Sequence, residues 1–129
     1  MMLRWRDDRG SAIAEFTMVG ALLTVLTVSV LQLGLSLLVR NTVLDAAAEG
    51  ARFGALADNV TADGVRRTTQ LITVAIGSDY AQNVTASTGS WQGHPAVTVT
   101  VRTTLPLIGL LGIGQGLEVS GHAAIETLE

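Results

Sequence analysis

A chain of 129 residues with 48% apolar side chains and no cysteine has room for one domain of ordinary size and no disulfide staples. Its net charge of -3, with every basic residue an arginine, leaves no cationic stripe for displacing counterions from phosphates, which excludes a general nucleic-acid binder. The missing cysteines also exclude thiolate zinc sites and cysteine nucleophiles.

The apolar content is concentrated near the N-terminus. Residues 1–10, MMLRWRDDRG, set Arg4, Arg6 and Arg9 against Asp7 and Asp8 and read as a short polar leader. From Phe16 to Val39 the chain carries no formal charge. As a helix rising about 1.5 Å per residue, that stretch is roughly 36 Å long and spans a bilayer with some tilt. Thr17, Thr24, Thr27, Ser29 and Ser36 are expected to return their hydroxyls to the helix's own carbonyls, which lowers their cost in lipid. Three arginines precede the helix and Arg40 follows it, so the positive-inside bias favours a cytoplasmic N-terminus, weakened by the two aspartates, with residues 41–129 outside. A cleaved secretory signal is the competing reading, with Ala46-Ala47-Ala48 or Ala55-Leu56-Ala57 as the cut site. The apolar run is much longer than an ordinary signal core, and those sites lie well past its end.

Glu15 distinguishes this segment from a plain anchor. An ionisable side chain at the mouth of an apolar helix is costly unless paired, the bland alternative being that it snorkels to the interface. A cut after Gly10 would create an α-amino group at Ser11, four residues before Glu15 and in the same zone.

The run Gly10-Ser11-Ala12-Ile13-Ala14-Glu15-Phe16 ahead of a long apolar helix resembles the processing site of type IV pilin-like proteins. Together with Ala47-Ala48-Glu49-Gly50-Ala51-Arg52-Phe53-Gly54-Ala55, it resembles the TadE-like pseudopilins of tight-adherence (Tad) pilus systems. That resemblance implies a prepilin peptidase cutting between Gly10 and Ser11 while the anchor stays in the mature chain. It also implies that Glu15, with Phe16 beside it, pairs with a neighbouring subunit's N-terminal amine and serves assembly. The implied partners are the peptidase, other pilin or pseudopilin subunits, inner-membrane pilus assembly proteins and membrane lipid.

Past the membrane, Val39, Val43, Leu44, Ala47, Ala48, Ala51 and Ala55 recur at spacings of three and four, so the helix is expected to run from about Ser11 to Leu56. The small residues of AAAEGA suit either close packing on a partner helix or packing on the chain's own strands. Gly50 costs helix stability, which points to a packing role. Asp58–Gly64 reads as a turn and Val65–Ile76 as a second helix stopped by Gly77. Arg66 and Arg67 then lie in its first turn, the unfavourable end of the helix dipole for cations.

From Ala81 onward the period becomes two. Strands are expected over Asn83–Thr88, Ala96–Thr103 and Leu117–Thr127, with a turn over Gly89–Pro95 and valines alternating with threonines in the middle strand. The segment 105–116 is apolar, glycine-rich and too short to cross a bilayer. Leu107, Ile108, Leu110 and Leu111 could contact lipid or a partner, or tuck over the sheet. His94 and His122 fall in no metal-ligand spacing, and neither a nucleophile elbow nor a phosphate loop is present.

The expected fold is therefore α+β: a leader (1–10), a transmembrane and stalk helix (11–57), and an extracytoplasmic head (58–129) with a short helix and a small antiparallel sheet. The expected protein is a minor pilin or pseudopilin in the cytoplasmic membrane, with no enzymatic activity, cofactor or small-molecule substrate. The alternatives are a membrane-bound accessory subunit that never enters a filament and a secreted binding domain released by signal peptidase.

Overall fold

The computed structural model describes residues 2–105 and 116–127, with side chains from Asp8 onward. Its elements are α1 (Met2–Gly54), α2 (Thr61–Ile76), a 3₁₀ turn (Ser78–Ala81), β1 (Val84–Trp91), β2 (His94–Thr104) and β3 (Gly116–Ala124). This is the expected α+β composition. The chain falls into two compact units divided between Gly34 and Leu35.

The first unit is α1 up to Gly34. Helix begins at Met2 rather than Ser11, because the leader holds no proline and its lone glycine, Gly10, is tolerated at about 1 kcal/mol. The helix is apolar all round and its large side chains are exposed, from Ile13 and Phe16 through Leu31 and Leu33. The richest 18-residue window within Asp8–Gly54 has a mean hydropathy of 2.2 and is 11% buried, which fits a single-pass membrane anchor. The hydroxyls of Thr17, Thr24, Thr27 and Ser29 donate to the carbonyls of Ile13, Gly20, Leu23 and Val25 at 2.7–2.9 Å, as the sequence predicts.

The second unit contains the C-terminal part of α1, α2 and the sheet. The strands lie in the order β1-β2-β3, both pairs antiparallel. Val97, Val99 and Val101 of β2 and Val119 of β3 point inward and meet Val39, Val43, Ala46, Ala47, Ala51 and Ala55 of α1 and Ile72 of α2. The alternation in β2 is as expected, with Thr98, Thr100 and Arg102 on the outer face. In α1, Leu44 stays 37% exposed and Ala46 joins the core in its place.

Two backbone approaches explain glycines in this unit. Gly50 crosses α2 at Gly64 and Thr68, so closely that a Cβ on Gly50 would sit 2.7 Å from the Gly64 carbonyl oxygen. The Thr68 hydroxyl, fully buried there, donates to the Gly64 carbonyl at 2.8 Å. Gly121 of β3 lies on α1, where a Cβ would stand 2.4 Å from the Ala48 nitrogen. The small-residue face of α1 is thus occupied by the chain's own α2 and sheet.

Three boundaries differ from expectation. α2 starts at Thr61, not Val65, because Asp63 accepts the Val60 N–H at 2.8 Å and satisfies a donor at the helix start. Gly64 is therefore helical, and Arg66 and Arg67 fall in the second turn. Arg66 pairs with Asp63 at 2.6 Å, and the Arg67 guanidinium lies 6.0 Å from the Phe53 ring centroid. The β1–β2 turn is only Gln92-Gly93, at φ 52° and 82°, so the strands reach Trp91 and resume at His94 inside the expected Gly89–Pro95 turn. β3 stops at Ala124, after which the Ile125 N–H donates to the Pro95 carbonyl and the Glu126 N–H to that of Ala55.

Candidate processing and assembly segment

Gly10, Ser11, Glu15 and Phe16 all lie on α1 in the first unit and all are exposed, Phe16 at 79%. A Cβ on Gly10 would meet nothing within 4 Å, so steric need in the folded chain does not account for the glycine. What glycine supplies is a weak point in the helix, since it is less favourable there than alanine by about 1 kcal/mol. A protease that binds extended backbone needs that local unwinding.

Ser11 and Glu15 are four residues apart on a continuous helix, hence on one face and separated by about 6 Å along the axis. A new amine at Ser11 and the Glu15 carboxylate would form two exposed, opposite charges at nearly one depth, next to a helix with no other ionisable group until Arg40. In a low-dielectric surround such a pair is much stronger than in water. Among the described residues no group of three histidines, aspartates and glutamates is placed to hold a metal. Leu107, Ile108, Leu110 and Leu111 lie outside the described residues.

Sequence reasoning did not find two features of the second unit. The Trp91 indole stacks on the His122 ring with centroids 5.0 Å apart and planes 2° from parallel, while His122 Nδ1 is 2.9 Å from the Thr98 hydroxyl. Here β2 brings together residues separated along the chain, and no short motif signals it. The glycine crossing was legible only in part: Gly50 pointed to a packing role, whereas its partner Gly64 read as part of a turn.

An exposed apolar helix followed by a compact α+β unit fits a single-pass membrane anchor carrying a small head. The family model for TadE-like proteins matches residues 10–52, about a third of the chain, and over that segment the chain is similar to that family. The match starts at the glycine of the candidate cut and ends just short of the Gly54 crossing. No curated protein and no solved structure matches the chain.

Proposed function

We propose that this protein is a minor pilin or pseudopilin that takes part in assembling or priming a Tad-type pilus. The observation that carries this reading is the coincidence, inside one TadE-like segment, of Gly10-Ser11, Glu15-Phe16 and an apolar helix with its large side chains exposed. A prepilin peptidase removes residues 1–10 on the cytoplasmic side, the helix holds the mature chain in the membrane, and residues 41–129 face outward. Glu15 then takes the N-terminal amine of a neighbouring subunit, so the chain acts by association and not by catalysis. Its partners are the peptidase, other pilin-type subunits, the inner-membrane assembly proteins and lipid.

Mass spectrometry of the mature N-terminus tests this. Ser11 as the first residue is expected; an intact Met1, or an N-terminus near Glu49 as signal peptidase would leave, overturns the processing scheme. Immunolabelling of sheared fibres then separates a filament subunit from an accessory protein that remains in the membrane.

A further inference from the structure

Two surfaces of the second unit carry opposite charges on different sides of α1. One is a groove of about 460 Å³ between α1 and α2, walled by Thr42, Asp45, Ala46, Glu49 and Arg52 on one side and Leu71 and Ala75 on the other. Asp45 and Glu49 are one turn apart, and like charges at that spacing disfavour the helix. Glu49 is offset by Arg52 at 3.8 Å, whereas Asp45 has no ionic partner among the described residues. The other surface is a ridge of Leu37, Arg40 and Leu44, spaced by three and four residues, with the leucines 48% and 37% exposed. Arg52, Arg66 and Arg102 are in ion pairs and Arg67 lies against Phe53, so Arg40 is the unengaged arginine among the described residues of this unit.

We propose that the groove of one copy receives the Leu37–Arg40–Leu44 ridge of a second copy, with Arg40 facing Asp45. The occupant follows from charge complementarity: the groove sets two carboxylates against the single Arg52, which pairs with Glu49 and leaves Asp45 without a cation, and the same helix displays Arg40 beside two exposed leucines suited to the apolar surface of Ala46, Leu71 and Ala75. Five residues separate Arg40 from Asp45, so parallel copies engage with an axial offset of roughly 7.5 Å. Ridge and groove are different surfaces, which makes the contact heterologous. Each bound copy leaves one ridge and one groove free, and the association propagates instead of closing as a dimer. This rests on the assembly reading above and names a contact within it.

The chain has no cysteine, so introduced ones report without background. Full-length Leu37→Cys and Ala75→Cys chains, differently tagged and coexpressed in membranes, are expected to form a disulfide heterodimer, while either alone stays monomeric under the same oxidation. Arg40→Asp or Asp45→Arg added to that pair should lower the heterodimer yield at least about tenfold, and both reversals in each chain should restore it. Absence of the mixed product, homodimers from a single variant, or failure of the double reversal to restore it overturns the contact. Because cross-linking is read in the membrane, a heterodimer from a chain missing in sheared fibres would sink only the filament reading. A fibre subunit that gives no heterodimer would sink only this contact.

Discussion

Gly121→Ala tests the packing of the sheet on α1 most directly. The added methyl would lie 2.4 Å from the Ala48 nitrogen and 2.5–2.6 Å from the Ala47 carbonyl carbon and oxygen, where ordinary contact requires 3.4–4 Å. Both walls are backbone, so no side-chain rotation relieves the overlap, and β3 and α1 must separate by about 1 Å. Overpacking a core costs about 1–3 kcal/mol, and a site that cannot yield belongs at the upper end. For a unit of this size, about 3 kcal/mol corresponds to a fall in Tm of about 12–24 °C. Thermal unfolding of detergent-solubilised full-length protein, followed by Trp91 fluorescence in a Trp5→Phe background, measures the sheet without the signal of α1. Gly89→Ala is the matched control: a Cβ on Gly89 of β1 meets nothing within 4 Å, and a change of at most about 2–4 °C is expected. A Gly121→Ala protein melting within about 4 °C of the parent would refute the close approach.

Other substitutions test separate parts of the argument. Ile72→Ala removes the largest fully buried side chain among the described residues and is expected to destabilise the second unit by about 2–5 kcal/mol in the same melting assay. Asp63→Ala deletes the acceptor for the Val60 N–H and the partner of Arg66, and should cost about 0.5–2 kcal/mol, with faster amide exchange confined to the first turn of α2. Glu15→Ala leaves the core untouched, so membrane insertion and Tm should stay unchanged while co-purification with pilus components falls; unchanged co-purification removes Glu15 from assembly.

The parts of this fold governed by local periodicity were legible in the sequence. The apolar helix, the valine–threonine alternation of β2 and the stop at Gly77 each follow from residues a few positions apart. The errors arose where a distant contact or an uncommon turn residue decided the outcome. Gly64 reads as part of a turn by propensity, yet the Asp63 contact with the Val60 N–H starts α2 at Thr61, and Gly50 and Gly54 of α1 pack where a side chain at 64 would stand. Gln92 is not a usual first residue for a two-residue hairpin with positive φ, so the strands seemed to end earlier than they do. In the candidate segment, Gly10, Ser11, Glu15 and Phe16 were singled out by the resemblance of their run to a pilin-like processing site, and the structure places all four on one uninterrupted helix. The groove at Asp45 could not be found this way, since half its wall comes from α2.

The two units answer to different solvents, and that difference leads to a last prediction. Between Ile13 and Leu38 every large apolar side chain is 47–79% exposed. Moving such side chains from water into lipid is worth on the order of 1 kcal/mol each, which in sum exceeds the usual stability of a domain. Water is therefore a poor solvent for the first unit. In the second unit the core cluster begins at Val39, and all its members, from Val39 and Val43 through Ile72 to Val119, belong to that unit. The α1–α2 crossing and the Gly121 contact are internal to it as well. A chain beginning at Leu35 should consequently fold without detergent and melt cooperatively, with Leu35, Leu37 and Leu38 joining Val60 and Val74 among its exposed apolar side chains. Near-UV circular dichroism against temperature is the measurement. Aggregated protein, or a broad melt without a baseline, would show that the second unit depends on membrane or on neighbouring chains for its core.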